Sequence, residues 1–303
     1  MKNNHPTVSV VLPTYNRATV VGDAIKSVLD QTFCDLELIV VDDGSTDNTL
    51  EVVNSFKDDR VQYVTHSTNK GAASAMNTGI RASRGDYVSI QNSDDYWLPD
   101  KIENEIKAFE GSDSTLGVVY SGVCQIKNDK QTYIPGPGVK KKEGYIHGEI
   151  LGGNFVNGLS LMKKECFQKA GFYDENLPGL EDWELYIRIS KYYQFKFVDK
   201  PLIRATISHD SLSGKASVFI DSAKIIVEKN YDDYHKNKKA LSSIYGSSGS
   251  WSCLDGQLKI GRSFFTKSIK INPTNLQVYI ALFLSLFGQR VYRAFYKALV
   301  DTV

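Results

Sequence analysis

Leu36–Asp47 reads LELIVVDDGSTD. A run rich in Leu, Ile and Val ends abruptly in two carboxylates, a glycine and three further hydrogen-bonding residues. A strand this continuous in its apolar character is one buried on both faces, as in a parallel sheet covered by helices. The turn after it predicts Ser45 as an N-cap and Thr46–Phe56 as a helix. On the N-terminal side, Val8–Leu12 (VSVVL) is a second buried strand, and Ala18–Gln31 carries Val21, Ala24, Ile25, Val28 and Leu29 at helical spacing. On the C-terminal side follow a strand at Val61–Thr65, a helix at Ala72–Ala82 and a strand at Tyr87–Gln91. This alternation predicts an α/β fold with a mostly parallel central sheet and right-handed crossovers.

In open α/β sheets ligands bind beyond the carboxyl ends of the strands. Here those ends are Pro13–Arg17, Asp42–Asp47, Asn69–Gly71 and Asn92–Asp95. No G-x-G-x-x-G follows the first strand and no G-x-x-x-x-G-K-[ST] occurs anywhere, which disfavours a dinucleotide site and a P-loop. The carboxylates suit a base, a ribose and a divalent cation instead. Asp43 is placed to accept from the imide N–H of a uracil-type base. Asp94 and Asp95 offer oxygen ligands to Mg²⁺ or Mn²⁺. Alone, Asp-Gly-Ser also reads as a capped turn and Ser-Asp-Asp as a helix start; their recurrence at successive strand ends favours a site. A further acidic cluster, Glu181-Asp182-Trp183-Glu184, reads either as a capped helix start or as the place of a general base.

Beyond Tyr87 the expected elements are a helix at Pro99–Phe109, a strand at Leu116–Ile126, and a loop at Tyr133–Gly144 that is either a solvated surface loop or a flap. A strand at Leu159–Met162, helices at Lys164–Ala170 and Asp182–Lys191, and a strand at Phe195–Val198 follow. From about Ser217 the pattern is helical, with Leu241–Asn275 loosely like one tetratricopeptide-type hairpin. This puts an α/β part at 1–215 and a helical C-terminal region at 216–303. Val278–Phe287 is apolar but too short to span a bilayer, which needs about 20 residues. With Arg290, Arg293 and Lys297 interleaved among Tyr292, Phe295 and Tyr296, it reads either as a core helix on the hairpin or as an interfacial helix on a membrane surface.

Taken together, Val8–Arg17 (VSVVLPTYNR), Glu37–Asp47, Asn69–Ile80 (NKGAASAMNTGI), Gly85–Pro99 and Leu180–Ile189 (LEDWELYIRI) resemble family-2 glycosyltransferases of the GT-A fold, the group that builds bacterial surface polysaccharides. The resemblance covers roughly residues 6–210. It implies inverting transfer of a sugar from a nucleotide-diphosphate donor, a UDP-sugar, to a hydroxyl of a glycan or lipid-linked glycan, with Mn²⁺ or Mg²⁺ as cofactor. It implies that Pro13, Tyr15 and Asp43 line the base pocket, that Asp94 ligates the metal, that Asp95 faces the sugar, and that Asp182 is the base with Glu181 and Trp183 at the acceptor. His209, in Ser208–Ser211, reads either as a surface-loop histidine or as a metal–diphosphate residue. Two positions depart from the family pattern. Asn92 stands where the first motif carboxylate is usual, and Ala75-Met76-Asn77 replaces Ala-Arg-Asn, leaving Lys70 as the substitute cation near the donor. The competing readings are a sugar-nucleotide nucleotidyltransferase, disfavoured by the glycine-free Pro13–Arg17, and an inactive nucleotide-sugar-binding protein.

The bulk composition agrees. The chain has 303 residues, 42% of them hydrophobic and 23% charged, at a net charge of +1. That is ordinary globular composition, with no basic excess for nucleic acid. Cys34, Cys124, Cys166 and Cys253 form no C-x-x-C pair, so reduced, buried thiols are expected. Met1–Thr7 has no h-region, which points to a cytoplasmic protein, peripheral on the inner face of the membrane if the C-terminal helix is interfacial.

Overall fold

Val8, Val10, Val11 and Leu12 are fully enclosed, and so are Leu38, Ile39, Val40 and Val41, so both faces of the first two strands are covered. The computed structural model describes residues 5–127, 130–136, 141–206 and 215–300. In chain order the elements are β1 (Val8–Thr14), α1 (Val21–Leu29), β2 (Leu36–Asp42), α2 (Thr49–Ser55), β3 (Val61–Thr65), α3 (Ala72–Ala82), β4 (Tyr87–Ile90), β5 (Asp95–Trp97), α4 (Lys101–Phe109), β6 (Leu116–Lys127) and β7 (Lys130–Ile134). There follow α5 (His147–Ile150), β8 (Leu161–Lys163), α6 (Glu165–Ala170), α7 (Glu181–Ile189), β9 (Gln194–Thr206), α8 (Ala216–Lys229), α9 (Tyr231–Lys236), α10 (Lys238–Leu254), α11 (Leu258–Ile271), α12 (Leu276–Ser285) and α13 (Gln289–Val300).

The strands form one sheet in the order β3-β2-β1-β4-β8-β6-β9-β5, with β7 paired to β6. From β3 to β4 every pairing is parallel, as the strand–helix alternation requires. Beyond β4 the sheet is mixed: β8 runs antiparallel to both β4 and β6, β6 and β9 are parallel, and β5 is antiparallel to β9. The unbroken parallel run is therefore the half that carries the first three crossover helices, and β6 with β9 is a parallel pair within the mixed half.

α1 covers one face of that half. Its Val21, Ala24, Ile25 and Val28 join Val8, Val10 and Leu12 of β1 and Leu36, Leu38 and Val40 of β2 in one core. Each such side chain contributes about 1.5–3 kcal/mol when fully buried. α3 covers the opposite face and comes close because of a glycine. A Cβ on Gly79 would lie 2.3 Å from Cγ1 of Val11 and 3.1 Å from Cγ2 of Val41. Valine has no long arm to swing aside, so Gly79→Ala forces the helix off the sheet. We expect it to lower the unfolding free energy by about 1–3 kcal/mol, read as a lower urea midpoint; an unchanged midpoint would contradict this packing.

Several expectations shift. The helix expected at Ala18–Gln31 starts at Val21, and that expected at Thr46 starts at Thr49. Ser45 does not cap it; the acceptor for the Thr49 N–H is Asp47 Oδ1 at 3.0 Å. β5 lies inside the stretch read as a run into a helix; β7 ends on Tyr133 and Ile134, the first two residues of the Tyr133–Gly144 loop, of which 137–140 fall outside the described residues. β9 continues through Pro201, which sits opposite Gly122 at a register shift, the kind of irregularity that accommodates a residue without a ladder N–H. The cysteines are free, but Cys34 is exposed and only Cys166 and Cys253 are buried.

The chain divides into two compact units, not at residue 215 but by interleaved segments. One unit comprises Met1–Ile146, Val156–Glu175 and Arg188–Ile207; the other comprises His147–Phe155, Asn176–Ile187 and Ser208–Val303. The second unit is held by specific bonds: the Trp183 indole N–H donates to the Ile150 carbonyl at 2.7 Å, Lys229 Nζ meets the buried Glu184 carboxylate at 2.6 Å, and Ser243 Oγ donates to the Gly152 carbonyl at 2.9 Å. The acidic start of α7 thus travels with the C-terminal helices. Within that unit α10 and α11 form the expected hairpin, joined by a buried Ser242–Ser268 hydroxyl pair at 2.8 Å.

Candidate functional site

The strand ends of the first unit are tied to one another before any ligand arrives. Asn16 adopts φ of +51°, a left-handed conformation that asparagine tolerates. From there its N–H donates to Ser45 Oγ at 2.9 Å and its side-chain oxygen accepts from the Thr46 N–H at 2.8 Å. Ala18 N–H donates to Asp47 Oδ2 at 3.1 Å, and Asp43 N–H to the Thr14 carbonyl at 2.8 Å. The loops after β1 and β2 are therefore one hydrogen-bonded edge. Tyr15 projects from it, 44% exposed, with Pro13 half-buried at the end of the strand.

Two adjacent carboxylates occupy that edge differently. Asp42 is buried; its Oδ1 accepts from the Ser45 N–H and its Oδ2 from the Tyr63 hydroxyl at 2.7 Å. Burial, then that bond, pushes the Tyr63 phenol up to about 12. Asp43 is also buried and gathers three partners. The Lys70 N–H reaches Oδ1 and Oδ2 at 2.9 and 3.0 Å, the Gly71 N–H reaches Oδ2 at 2.7 Å, and the His66 ring lies 2.6 Å from Oδ1. The other ring nitrogen of His66 meets Thr78 Oγ1 at 2.9 Å. A carboxylate has about four acceptor positions, so Asp43 first anchors the Lys70–Gly71 turn and keeps little capacity beyond it. The Lys70 side chain is exposed; its backbone does the anchoring. His66 carried no expectation, although its place at the carboxyl end of β3 was the available signal.

After β4, Gln91 is buried and its Nε2 donates to the Asp95 carbonyl at 2.7 Å. The Asn92 amide donates to Asp95 Oδ2 at 2.8 Å. The neutral residue at 92 thus fixes the Asp95 carboxylate, where a third carboxylate would repel it. Burial pushes the Asp95 carboxyl up to about 6, opposed by the Asn92 bond and helped by the neighbouring Asp94 charge. Asp94 itself is exposed. Behind β5 a buried Lys101–Glu105 pair at 2.7 Å lies under the Trp97 ring, 4.0 Å from its centroid. Asn77, from the Ala-Met-Asn segment, is buried and exchanges two bonds with the Tyr173 backbone, so that segment is structural here.

No three His, Cys, Asp or Glu side chains gather as a metal cage among the described residues. Asp94 beside Asp95 supplies two carboxylates, the donor number expected where substrate phosphates and water complete the shell of Mg²⁺ or a similar ion. In donor chemistry these two residues fit a divalent cation. His209 lies outside the described residues.

In the second unit, Leu180 holds φ of +60° immediately before α7, a strained conformation for a branched side chain. Asp182 then accepts from the Trp183 N–H at 2.7 Å and from Asn154 Nδ2 at 3.0 Å. Burial first, and the Glu181 charge second, push its carboxyl up to about 6; burial also raises Glu181. Trp183 points inward, 1% exposed, and its N–H is spent on Ile150. It props the helix start rather than presenting a face to an acceptor.

The chain matches the family model described as Glycosyl transferase family 2 over residues 9–171. It is 32% identical over 219 residues to an uncharacterised glycosyltransferase of Rickettsia felis, covering 70% of this chain but only 36% of that protein. The chain thus spans about a third of that relative's length. In structure it resembles S. aureus TarS residues 1–349 in complex with UDP-GlcNAc, with a TM-score of 0.67 at 16% identity, over 96% of this chain and 92% of that one. It also resembles mannosyltransferase PcManGT from Pyrobaculum calidifontis in complex with GDP-Man and Mn²⁺, with a TM-score of 0.56 at 17% identity, over 96% of this chain and 87% of that one. At such identities these likenesses speak to the fold.

Proposed function

The chain belongs to glycosyltransferase family 2, and from that premise we propose that it moves a sugar from a UDP-sugar to a hydroxyl of a glycan or lipid-linked glycan, with inversion, in surface polysaccharide synthesis. The observation that carries the reading is Asp182: a half-buried carboxylate at a helix start, oriented by two hydrogen bonds, with its pKa raised to about 6. A base poised near the working pH is what removal of an acceptor proton requires.

In the proposed step Asp182 takes the acceptor proton as the hydroxyl oxygen bonds to the anomeric carbon. The bond from that carbon to the phosphate oxygen breaks on the opposite face, and UDP leaves with the electron pair. One displacement inverts the centre, so no second carboxylate is needed as a nucleophile. Tyr15 and Pro13 flank the base, and Asp43 both holds the Lys70–Gly71 turn and offers its remaining acceptor position to the imide N–H. Asp94, with Asp95 beside it, would hold a divalent cation, which would supply positive charge against the departing diphosphate. Glu181 lies beside the base, on the acceptor side of the reading. The UDP-GlcNAc and the GDP-Man with Mn²⁺ bound by the two structural relatives support a nucleotide-sugar donor and a metal.

Product analysis tests the reading. With a panel of UDP-sugars, glycan acceptors and Mn²⁺, the protein should release UDP and lengthen the acceptor. Release of pyrophosphate from UTP and a sugar phosphate would identify a nucleotidyltransferase, and turnover of neither would leave a binding protein. For the base pocket, Asp43→Ala removes a charge-assisted acceptor and frees the turn, so UDP affinity should fall by about 1.5–3 kcal/mol. CDP, which lacks the imide N–H, should bind wild type poorly; calorimetric titration giving equal affinities for CDP and UDP would remove Asp43 from this role.

A further inference from the structure

The last two helices leave a broad apolar face uncovered. On α12 and the turn after it, Leu276, Ile280, Phe283 and Phe287 are 72, 54, 59 and 58% exposed. Their i, i+4, i+7, i+11 spacing puts them on one stripe. Val278 and Ser285, on the opposite side of the helix, are buried, and Val278 joins Cys253, Phe265 and Tyr292 in a small core. The exposed stripe is thus not a packing surface of the hairpin. α13 continues it: Val291 and Phe295 are exposed, one turn apart, whereas Tyr292 is enclosed and donates its hydroxyl to Ser250 Oγ at 2.9 Å. Phe283 and Phe287 meet edge to face at 5.0 Å, so the stripe is a coherent apolar surface rather than scattered residues.

Charge marks the same stretch. Residues 256–300 contain seven cations (Lys259, Arg262, Lys267, Lys270, Arg290, Arg293 and Lys297) and no carboxylate. The whole chain carries +1, so the rest of it carries 1 − 7 = −6. A chain near neutrality is thus strongly polarised along its sequence, with these cations in the same stretch as the exposed aromatics of α12 and α13. Two copies meeting through this stretch would bring two such positive sets into one assembly, a cost against self-association. A surface that is anionic and also accepts phenyl rings without hydrogen bonds satisfies both features. No helix among the described residues is long and apolar enough to cross a membrane.

We propose that α12 and α13 form a lipid-docking wedge that lies in the interface of an anionic membrane, with Ile280, Phe283, Phe287 and Phe295 at the acyl boundary and the basic stretch against the headgroups. Exposed Arg290 is the cation next to the wedge. Arg293 is partly occupied, donating to the Leu254 carbonyl at 2.9 Å through Nε. The inference is independent of the reaction proposed above, and its test uses no substrate.

The experiment is co-sedimentation of the full chain with vesicles of phosphatidylcholine alone and of phosphatidylcholine with phosphatidylglycerol. The protein should pellet with the anionic vesicles, less so as salt rises, and weakly with the neutral ones. Phe283→Ser/Phe287→Ser should lower the partition coefficient at least about tenfold with an unchanged thermal unfolding midpoint, since both rings are exposed. Arg290→Glu should weaken binding to anionic vesicles and leave the neutral baseline alone. The proposal is overturned if the full chain ignores anionic vesicles or if the double variant binds as wild type does. It is equally overturned if light scattering shows a vesicle-indifferent dimer that the double variant splits, which would give the face to a second copy.

Discussion

Asp182→Asn should lower kcat by about 10²–10⁴-fold, the usual loss when a general base is removed, while UDP affinity stays at its wild-type value. The substitution keeps the shape and one oxygen for the Trp183 N–H; what it removes is the proton acceptor. Two further measurements separate a base from a merely structural residue. The carboxyl is raised to about 6 by burial and by Glu181, so the wild-type rate should climb with pH through about 6, where an ordinary carboxylate would give its limb near 4. Stability has the opposite sign. A raised pKa means the folded chain favours the protonated form, so this contribution is full at low pH and is lost as pH rises through about 6. Asp182→Asn removes a charge that burial penalises, and its melting temperature at pH 8 should be no lower than wild type. A variant that turns over normally, or one that is inactive only because it melts early, would end the assignment.

Asp94→Ala should abolish the activity that Mn²⁺ or Mg²⁺ supports, by about 10³-fold or more, because a cation on a departing diphosphate supplies several kcal/mol and each 1.4 kcal/mol is about tenfold. EDTA should do the same to wild type, with recovery on adding excess Mn²⁺. Asp94 is exposed, so its loss should leave the unfolding midpoint where it was. Asn92→Asp offers a contrast. It replaces the donor that fixes Asp95 with a third carboxylate, which should raise the concentration of Mn²⁺ needed for half-maximal activity if Asp95 placement matters more than ligand count. Full turnover in EDTA would sink the metal-dependent step.

Legibility of the fold follows burial. β1 and β2 were readable because each is an enclosed apolar run, and α1 and α3 because their buried residues repeat at the helical period. β5 was not, since Asp-Tyr-Trp shows no alternation and is a strand only because β9 lies beside it. β7, Lys-Gln-Thr-Tyr-Ile, was not either: its partner β6, not its composition, makes it a strand. Ser45 looked like a cap from its position alone, yet Asn16 claims its hydroxyl across 29 residues. Trp183 illustrates the limit at the candidate site. Its place in Glu-Asp-Trp-Glu suggested an acceptor contact, but the chain fold turns it inward onto Ile150.

The amino-acid sequence alone determined the α/β class, the order of the first crossovers, the strand ends at which carboxylates gather and the kinship that goes with them. These rest on local periodicity and on which residue types tolerate burial, and both are written position by position. The tertiary structure decided what each polar group is free to do. It committed Asp43 to the Lys70–Gly71 turn and to His66, gave Asn92 to Asp95, put the start of α7 in the unit of the C-terminal helices, and left the α12 stripe bare. Hydrogen-bond capacity and desolvation depend on neighbours far away in the chain, and only the folded arrangement brings those neighbours together.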